Sequence, residues 1–188
     1  MNIRTTLSLT AAAVFALTLA GCKGKDTLTP KQAGEITIVE YCNEEGQPDK
    51  DFFRASATGE SMSREAAKKM GRSNAEAMLA RSINSTIKIV TDNYVNSSSF
   101  NNKEEITETF NDLARTIVDQ QLAGAPTICS HLTQKQDGNY VFYCAVELSG
   151  ADLVSKYNER LTQDERIRAE YNYEKFKETF EAEMAKQR

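Results

Sequence analysis

Residues 127–148, TICSHLTQKQDGNYVFYCAVEL, predict the β-hairpin that decides the fold class. The runs 127–135 and 139–148 are rich in β-branched and aromatic residues, which favour strands. The dipeptide Asp137-Gly138 between them is a strong turn signal. We expect a three-residue loop over 136–138, with its glycine in the left-handed conformation of a bulge.

The register of this hairpin follows from the residues that must share its buried face. The expected cross-strand pairs are Leu132 with Phe142, Ser130 with Cys144, and Ile128 with Val146. This pairing collects the large apolar side chains on one face: Ile128, Leu132, Phe142, Val146 and Leu148. A two-residue loop would shift the pairing, and these apolar side chains would no longer share one face.

Two more strands are expected before the hairpin. Residues 35–42 are mostly β-branched, aromatic or small apolar, and residues 52–59 form a second short run that ends in small residues. The segment 43–51 between them is polar and contains Gly46 and Pro48, which indicates a loop.

Two main helices are expected between these strands and the hairpin. Ser61 or Ser63 can cap a long first helix, whose small Gly71 suggests a close approach to a sheet. Its expected apolar stripe is Ala66, Met70, Ala77, Ala80, Ile87, Val90 and Tyr94. Asn101 or Asn102 can cap the second helix, which has a clear apolar stripe and ends at 123–124.

The sequence after the hairpin predicts a helical extension over 151–188. Ser149 can cap a short helix that ends near residue 161, and the capping box 162–165 begins a last helix to about Lys186. This last helix is charged and has one apolar edge, so it either docks on its own domain or contacts a partner. The prediction is therefore an α+β domain over 35–150, with a small antiparallel sheet packed against two main helices, followed by a charged amphipathic helix.

The N-terminus predicts secretion and lipid attachment. Residues 1–21 have a basic start, an apolar run and small residues before Cys22, as in a signal peptide. Leu19-Ala20-Gly21-Cys22 resembles the cleavage pattern of bacterial lipoproteins. By that resemblance Cys22 carries diacylglycerol and an N-acyl chain such as palmitate, enough acyl chains for stable membrane anchoring. Residues 22–34 are then a lipidated tether to the domain.

The charge of the chain and the residues after Cys22 limit the cellular location and the kinds of partner that we expect. The chain from Cys22 onward has 22 basic and 27 acidic residues, a net charge of −5, which argues against a nucleic-acid partner. Lys23 stands where inner-membrane lipoproteins usually have aspartate, so we expect the outer membrane, facing the periplasm.

The remaining cysteines predict one disulfide. The periplasm is oxidising, so a disulfide is expected wherever the geometry allows it. In the expected register Cys129 and Cys144 lie on opposite faces of the hairpin, and Cys144 sits among apolar residues. That leaves a bond between Cys42 and Cys129. A catalytic thiol is the alternative, but the chain has no CxxC motif and a single histidine, His131.

No enzyme signature stands out in the sequence. There is no glycine-rich phosphate loop, zinc-type spacing or GxSxG motif. Cys129 and His131 could form a ligand pair, but no third ligand is in view. We therefore expect no catalytic residue, metal or cofactor.

Three stretches together resemble one family. They are residues 53–61 (FRASATGES), residues 75–81 (AEAMLAR) and residues 141–148 (VFYCAVEL). Their order is similar to that in Lpp-twenty-type lipoproteins, whose domain is similar to the N-terminal domain of flagellar assembly protein T. The resemblance covers roughly residues 35–150. It implies an α+β envelope lipoprotein without catalytic activity, so it assigns no catalytic residue here.

The leading expectation for function is a non-enzymatic, membrane-anchored periplasmic domain that binds an envelope protein or a second copy of itself. On this view residues 162–188 contribute to the association and can be deleted without unfolding the domain. The alternative is a carrier of a small ligand or lipid, which needs a sizeable apolar cavity between the helices and the sheet.

Overall fold

The computed structural model describes residues 38–187, and its helices and strands follow the α+β pattern. In chain order the elements are β1 (Phe52–Ser61), α1 (Arg64–Asn96), α2 (Lys103–Leu122), β2 (Thr127–Gln134), β3 (Tyr140–Ser149), α3 (Gly150–Leu161), α4 (Glu165–Arg168) and α5 (Tyr173–Met184). The predicted fold class is confirmed. The predicted signal peptide, the tether and Cys22 lie outside the described residues.

The sheet has three antiparallel strands in the order β1-β3-β2. The predicted three-residue loop is confirmed: the Lys135 N–H donates to the carbonyl oxygen of Asn139 at 2.8 Å, and Gly138 has φ of 91°. Leu132 pairs with Phe142 and Ser130 pairs with Cys144, as predicted.

The third predicted hairpin pair is wrong. A register shift between Thr127 and Cys129 places Thr127, rather than Ile128, opposite Val146. Ile128 is the extra residue of this irregularity, and its side chain is 36% exposed instead of joining the apolar face. The shift lies at the end of the hairpin farthest from its turn, where the loop no longer dictates the pairing.

Helix α1 covers one face of the sheet and comes closest to it at Gly59 and Gly71. A Cβ atom on Gly59 would lie against the amide nitrogen of Gly71 and the carbonyl oxygen of Ala67, closer than real Cβ atoms approach such atoms. The close approach predicted from Gly71 is therefore confirmed. Of the two proposed caps, Ser63 is the N-cap, and its side chain accepts a hydrogen bond from the Ala66 amide.

The predicted apolar stripe of α1 is wrong in its first half. Toward the sheet the helix buries small and apolar residues at four-residue steps: Ala67, Gly71, Ala75, Leu79 and Ile83. Ala66 is only half-buried, and Met70 and Ala77 are exposed. Alanine occurs on several faces of this segment, so hydrophobic spacing did not identify the contact face. The second half, with Ile87, Val90 and Tyr94 buried, agrees with the prediction.

The helices form an aromatic core beyond the sheet. Helix α2 contacts α1 and α3, and the rings of Tyr94, Phe110 and Phe176 lie within 6 Å of one another, centroid to centroid. The hydroxyl of Tyr157 donates to the carbonyl oxygen of Phe110 inside this cluster. These rings share one buried cluster with Phe53 of the sheet.

The C-terminal extension belongs to that core. Its apolar edge is buried against the rest of the unit: Ile167, Phe176, Phe180 and Met184. This packing answers the question left open by the sequence in favour of docking in cis. It contradicts the expectation that 162–188 can be removed from a folded domain, because the deletion would open the core.

The predicted continuous last helix is also wrong. Helix α4 ends at Arg168, and α5 begins at Tyr173 with Asn172 as its N-cap. The Asn172 amide donates to the Tyr94 hydroxyl at 2.8 Å instead of continuing the helical pattern. The break allows both Ile167 and Phe176 to reach the core.

The described part of the predicted strand 35–42 is not a strand. Residues 38–40 have no regular structure, and 41–46 form turns. Cys42 adopts a left-handed backbone conformation with φ of 62°, which an extended strand does not allow. None of the described helices combines the length and the hydrophobicity that a bilayer-spanning segment needs.

Replacing Gly59 with alanine should destabilise the fold, because the new methyl group would push against the α1 backbone. We expect Gly59→Ala to lower the free energy of unfolding by about 1–3 kcal/mol or more, as overpacking does. Gly124→Ala is the matched control, since its Cβ would have its nearest neighbour 3.7 Å away. Urea denaturation followed by circular dichroism measures both. Equal stability of the two variants would contradict the close approach.

Candidate functional site

A turn formed by residues 41–46 lies on the face of the sheet opposite α1. The disulfide between Cys42 and Cys129 fixes this turn to β2, with a Cα–Cα distance of 5.5 Å. A Cβ atom on Gly46 would lie 2.5 Å from Cβ of Ser56, so the turn reaches β1 as well. The sheet is thus covered by α1 on one face and partly by this turn on the other. The predicted disulfide is confirmed.

Tyr41 and His131 add an aromatic contact beside the disulfide. Their rings are stacked with centroids 3.8 Å apart, and Tyr143 contacts Tyr41 edge-on at 5.2 Å. These residues come from the turn, β2 and β3, which the fold brings together. The Cys129–His131 pair cannot serve as two metal ligands here, because the Cys129 sulfur is bonded to Cys42.

Arg54 connects the following loop to the same face of the sheet. Its guanidinium contacts Asp49 at 2.6 Å and Glu147 at 3.0 Å. The Asp49 carboxylate also accepts hydrogen bonds from the amides of Asp51 and Phe52, both at 2.8 Å. The amide of Asp51, then that of Phe52 and the Arg54 guanidinium, lower the pKa of Asp49 below its ordinary value.

The Cys144 thiol and the buried tyrosines are poor candidates for chemistry. Cys144 is fully buried, as predicted for a core residue, and burial raises the pKa of its thiol. Burial also raises the pKa of the Tyr157 and Tyr171 hydroxyls above the ordinary tyrosine value. Among residues 38–187 no group of three potential ligands could hold a metal ion.

A groove of about 380 Å³ lies where β1 begins and α5 ends. Its floor includes Phe52, Val154 and Phe180, and its rim carries Lys177 and Glu181. The space between α1 and the sheet, in contrast, is filled by side chains such as Leu79 and Val146 that have no exposed surface. The described part of the chain therefore offers surface depressions such as this groove, and no open space between α1 and the sheet beside Leu79 and Val146.

Sequence reasoning identified part of this arrangement. It found the two bonded cysteines and the buried Cys144, whereas Cys22 lies outside the described residues. It missed Tyr41, Asp49 and Arg54, whose contacts depend on how the turn crosses the sheet. The adjacent position of Tyr41 and Cys42 could have indicated that an aromatic residue would meet β2 beside the disulfide.

Comparisons with known proteins give no further identification. No protein-family model, curated protein or solved structure matches this chain.

Breaking the disulfide should destabilise the folded unit. The bond closes a loop with a sequence separation of 87. We expect Cys42→Ser/Cys129→Ser to lower the free energy of unfolding by about 2–5 kcal/mol. Urea denaturation with and without a reducing agent measures this loss. The reductant should destabilise the native chain and leave the double variant unchanged, and equal effects on both would contradict the assignment.

The contribution of Asp49 to stability should depend on pH. Its pKa is lower in the folded state, so the stabilisation is present above the unfolded-state pKa and is lost as pH falls through the folded-state pKa. Asp49→Asn should therefore be less stable than the native chain at pH 7, and the difference should shrink under acid conditions. Denaturation midpoints between pH 7 and pH 2 measure this. A pH-independent difference would contradict a role for the Asp49 charge.

Proposed function

We propose that this chain is a lipid-anchored lipoprotein of the outer membrane that faces the periplasm and has a non-enzymatic interaction role in the envelope. The observation that carries the proposal is the motif Leu19-Ala20-Gly21-Cys22 at the end of a signal-like segment. The family we propose is that of Lpp-twenty-type lipoproteins. Anchoring would occur through acyl chains on Cys22.

The disulfide supports export from the cytoplasm. Stable disulfides are typical of oxidising compartments such as the periplasm. The bond between Cys42 and Cys129 lies a short way along the chain from the proposed lipid attachment at Cys22. Mechanical tension between the membrane and the domain would then act on the turn that the disulfide fixes to β2. It would not act directly on the N-terminal end of β1.

The packing of the interior favours an interaction role over the carrier alternative. A carrier needs a sizeable apolar cavity, whereas Leu79 and Val146 between α1 and the sheet are completely buried, and the groove beside Phe52 and Phe180 is open to the surface. The buried Cys144 thiol, with its raised pKa, offers no activated nucleophile. The partner we propose is therefore an envelope protein or a second copy of this chain, with no cofactor.

Acyl labelling in cells tests the anchor. We expect the native chain to incorporate an alkynyl palmitate and to fractionate with the outer membrane, and we expect Cys22→Ser to lose both properties. Cys144→Ala, which removes a thiol elsewhere, is the matched control and should keep both. Label retained by Cys22→Ser would overturn the lipid anchor.

In-cell crosslinking of the acylated chain tests the interaction role. We expect mass spectrometry to identify a specific envelope partner or crosslinks between copies. Full-length chains that remain uncrosslinked at native abundance would contradict this role.

A further inference from the structure

Strand β2 forms one edge of the sheet and pairs only with β3. The Lys135 amide donates to the Asn139 carbonyl oxygen across the hairpin, and the backbone groups of successive residues then face β3 in alternation. Those of Ser130, Leu132 and Gln134 therefore face away from the sheet, and they are here called the β2 edge. Among residues 38–187, no hydrogen bond reaches the outward backbone groups of Ser130 or Leu132.

The outer side of β1, at the opposite edge of the sheet, is covered along much of its length. The amide of Phe52 donates to the Asp49 carboxylate at 2.8 Å, and the Phe52 carbonyl oxygen accepts from the Asp49 amide at 3.0 Å. Farther along the strand, the side-chain amide of Asn74 donates to the carbonyl oxygen of Thr58 at 2.8 Å. The fold thus protects one edge of its sheet and leaves the other open.

The sequence of β2 lacks the residues that usually prevent an exposed edge from pairing with another chain. Such edges commonly carry charged side chains or proline. Residues 127–134, TICSHLTQ, contain no lysine, arginine, aspartate, glutamate or proline, whereas β1 carries Arg54 and Glu60. The irregularity at Ile128 affects only the start of β2, so the pairing with β3 is regular from Cys129 to Gln134. This regular stretch is suited to accept a further strand.

The β2 edge is also accessible. Helix α1 packs on β1 and β3, and the turn of residues 41–46 runs from Cys129 on β2 toward Ser56 on β1. Both therefore extend away from the β2 edge, and the side chains of Ser130 and Gln134 are exposed. An extended strand can approach this edge without displacing the helix or the turn.

A second copy of β2 is the strand that fits this edge best. An uncharged strand opposes no like charges when it pairs with itself, which favours cross-strand pairing. The chain has a formal net charge of −4, so contacts between other surfaces of two copies bring acidic residues together. Antiparallel pairing about a twofold axis at Leu132 sets Leu132 opposite Leu132 of the second copy, and Ser130 opposite Gln134. This register places every residue of the β2 edge in a hydrogen-bonded pair.

We propose that this chain forms a dimer in which the β2 edges of two copies pair antiparallel about Leu132. The two sheets then join into one continuous sheet. The interface is small, so the association is weak in solution. This proposal deepens the proposed interaction role by naming its partner, and it rests on that role because anchors on Cys22 would hold the copies in one membrane and raise their effective concentration.

Sedimentation velocity of non-acylated protein tests the pairing separately from the anchor. The protein is residues 23–188, which keep the whole described unit and lack Cys22. We expect an equilibrium between monomer and dimer that depends on concentration. Ser130→Lys/Gln134→Lys opposes two pairs of like charges in the proposed register and should weaken the dimer on the order of tenfold. Ser130→Glu/Gln134→Glu should do the same, and mixing the two variants should restore the dimer, because each lysine then faces a glutamate.

A matched variant controls for added charge. Thr58→Lys/Gln120→Lys adds the same charge at exposed positions of β1 and α2 and should leave the dimer unchanged. Circular dichroism verifies that every variant is folded.

Site-specific photocrosslinking of the acylated full chain in cells identifies what lies beside the β2 edge. We expect a photoreactive amino acid in place of Gln134 to crosslink to β2 of a second copy. The same group in place of Gln120, on the exposed side of α2, should not give this product.

Four outcomes would overturn the proposal. They are a native chain that stays monomeric at its highest soluble concentration, equal losses in the β2 and control variants, a mixture of the lysine and glutamate variants that stays monomeric, and crosslinks from position 134 to another protein or to residues 23–37 of the same chain. The last result would assign the β2 edge to a different strand. Acylation of Cys22 and crosslinks from other surfaces would be unaffected, so failure of this proposal is distinguishable from failure of the proposed function.

Discussion

The close contact between α1 and β1 is the constraint on which the rest of the structure depends. Gly59 and Gly71 allow the helix backbone to lie directly on the strand, with no side chain between them. The same 33-residue helix then continues past the sheet and carries Tyr94 into the aromatic core. One continuous helix therefore connects the sheet to the helical part, and a displacement of the helix where it contacts Gly59 would disturb both.

The two faces of the sheet are covered by different means. On the α1 side the stability comes from burial of apolar residues such as Leu79 and Ile83. On the other side a short turn has little apolar surface to bury, and the Cys42–Cys129 disulfide and the ion pairs of Arg54 hold it. This division explains why the chain before β1 can cross a sheet face without forming a strand. It also leaves α1 with an outward side that the fold itself does not use.

Local signals in the sequence were sufficient for much of the fold. The hairpin loop followed from Asp137-Gly138, and the cap Ser149 followed from a side chain that bonds an amide three residues on. For α1 the sequence left two candidate caps, Ser61 and Ser63, of which Ser63 is the cap. Such interactions involve neighbours in the chain, so a pattern can reveal them. The Cys42–Cys129 pairing was also predictable, because the hairpin register removes Cys144 from the possible partners.

The sequence alone determined the α+β class and the hairpin near its loop, and it predicted the disulfide. The tertiary structure decided which side of α1 is buried, because alanines around the helix give little hydrophobic contrast and the close approach at Gly59 selects among them. It also decided the break before Asn172, because the acceptor for that amide is the Tyr94 hydroxyl, far away in the chain. Contacts between distant segments decide which face of a helix is buried. For this reason Met70 is at the surface, although its spacing in the sequence suggested that it was part of the core.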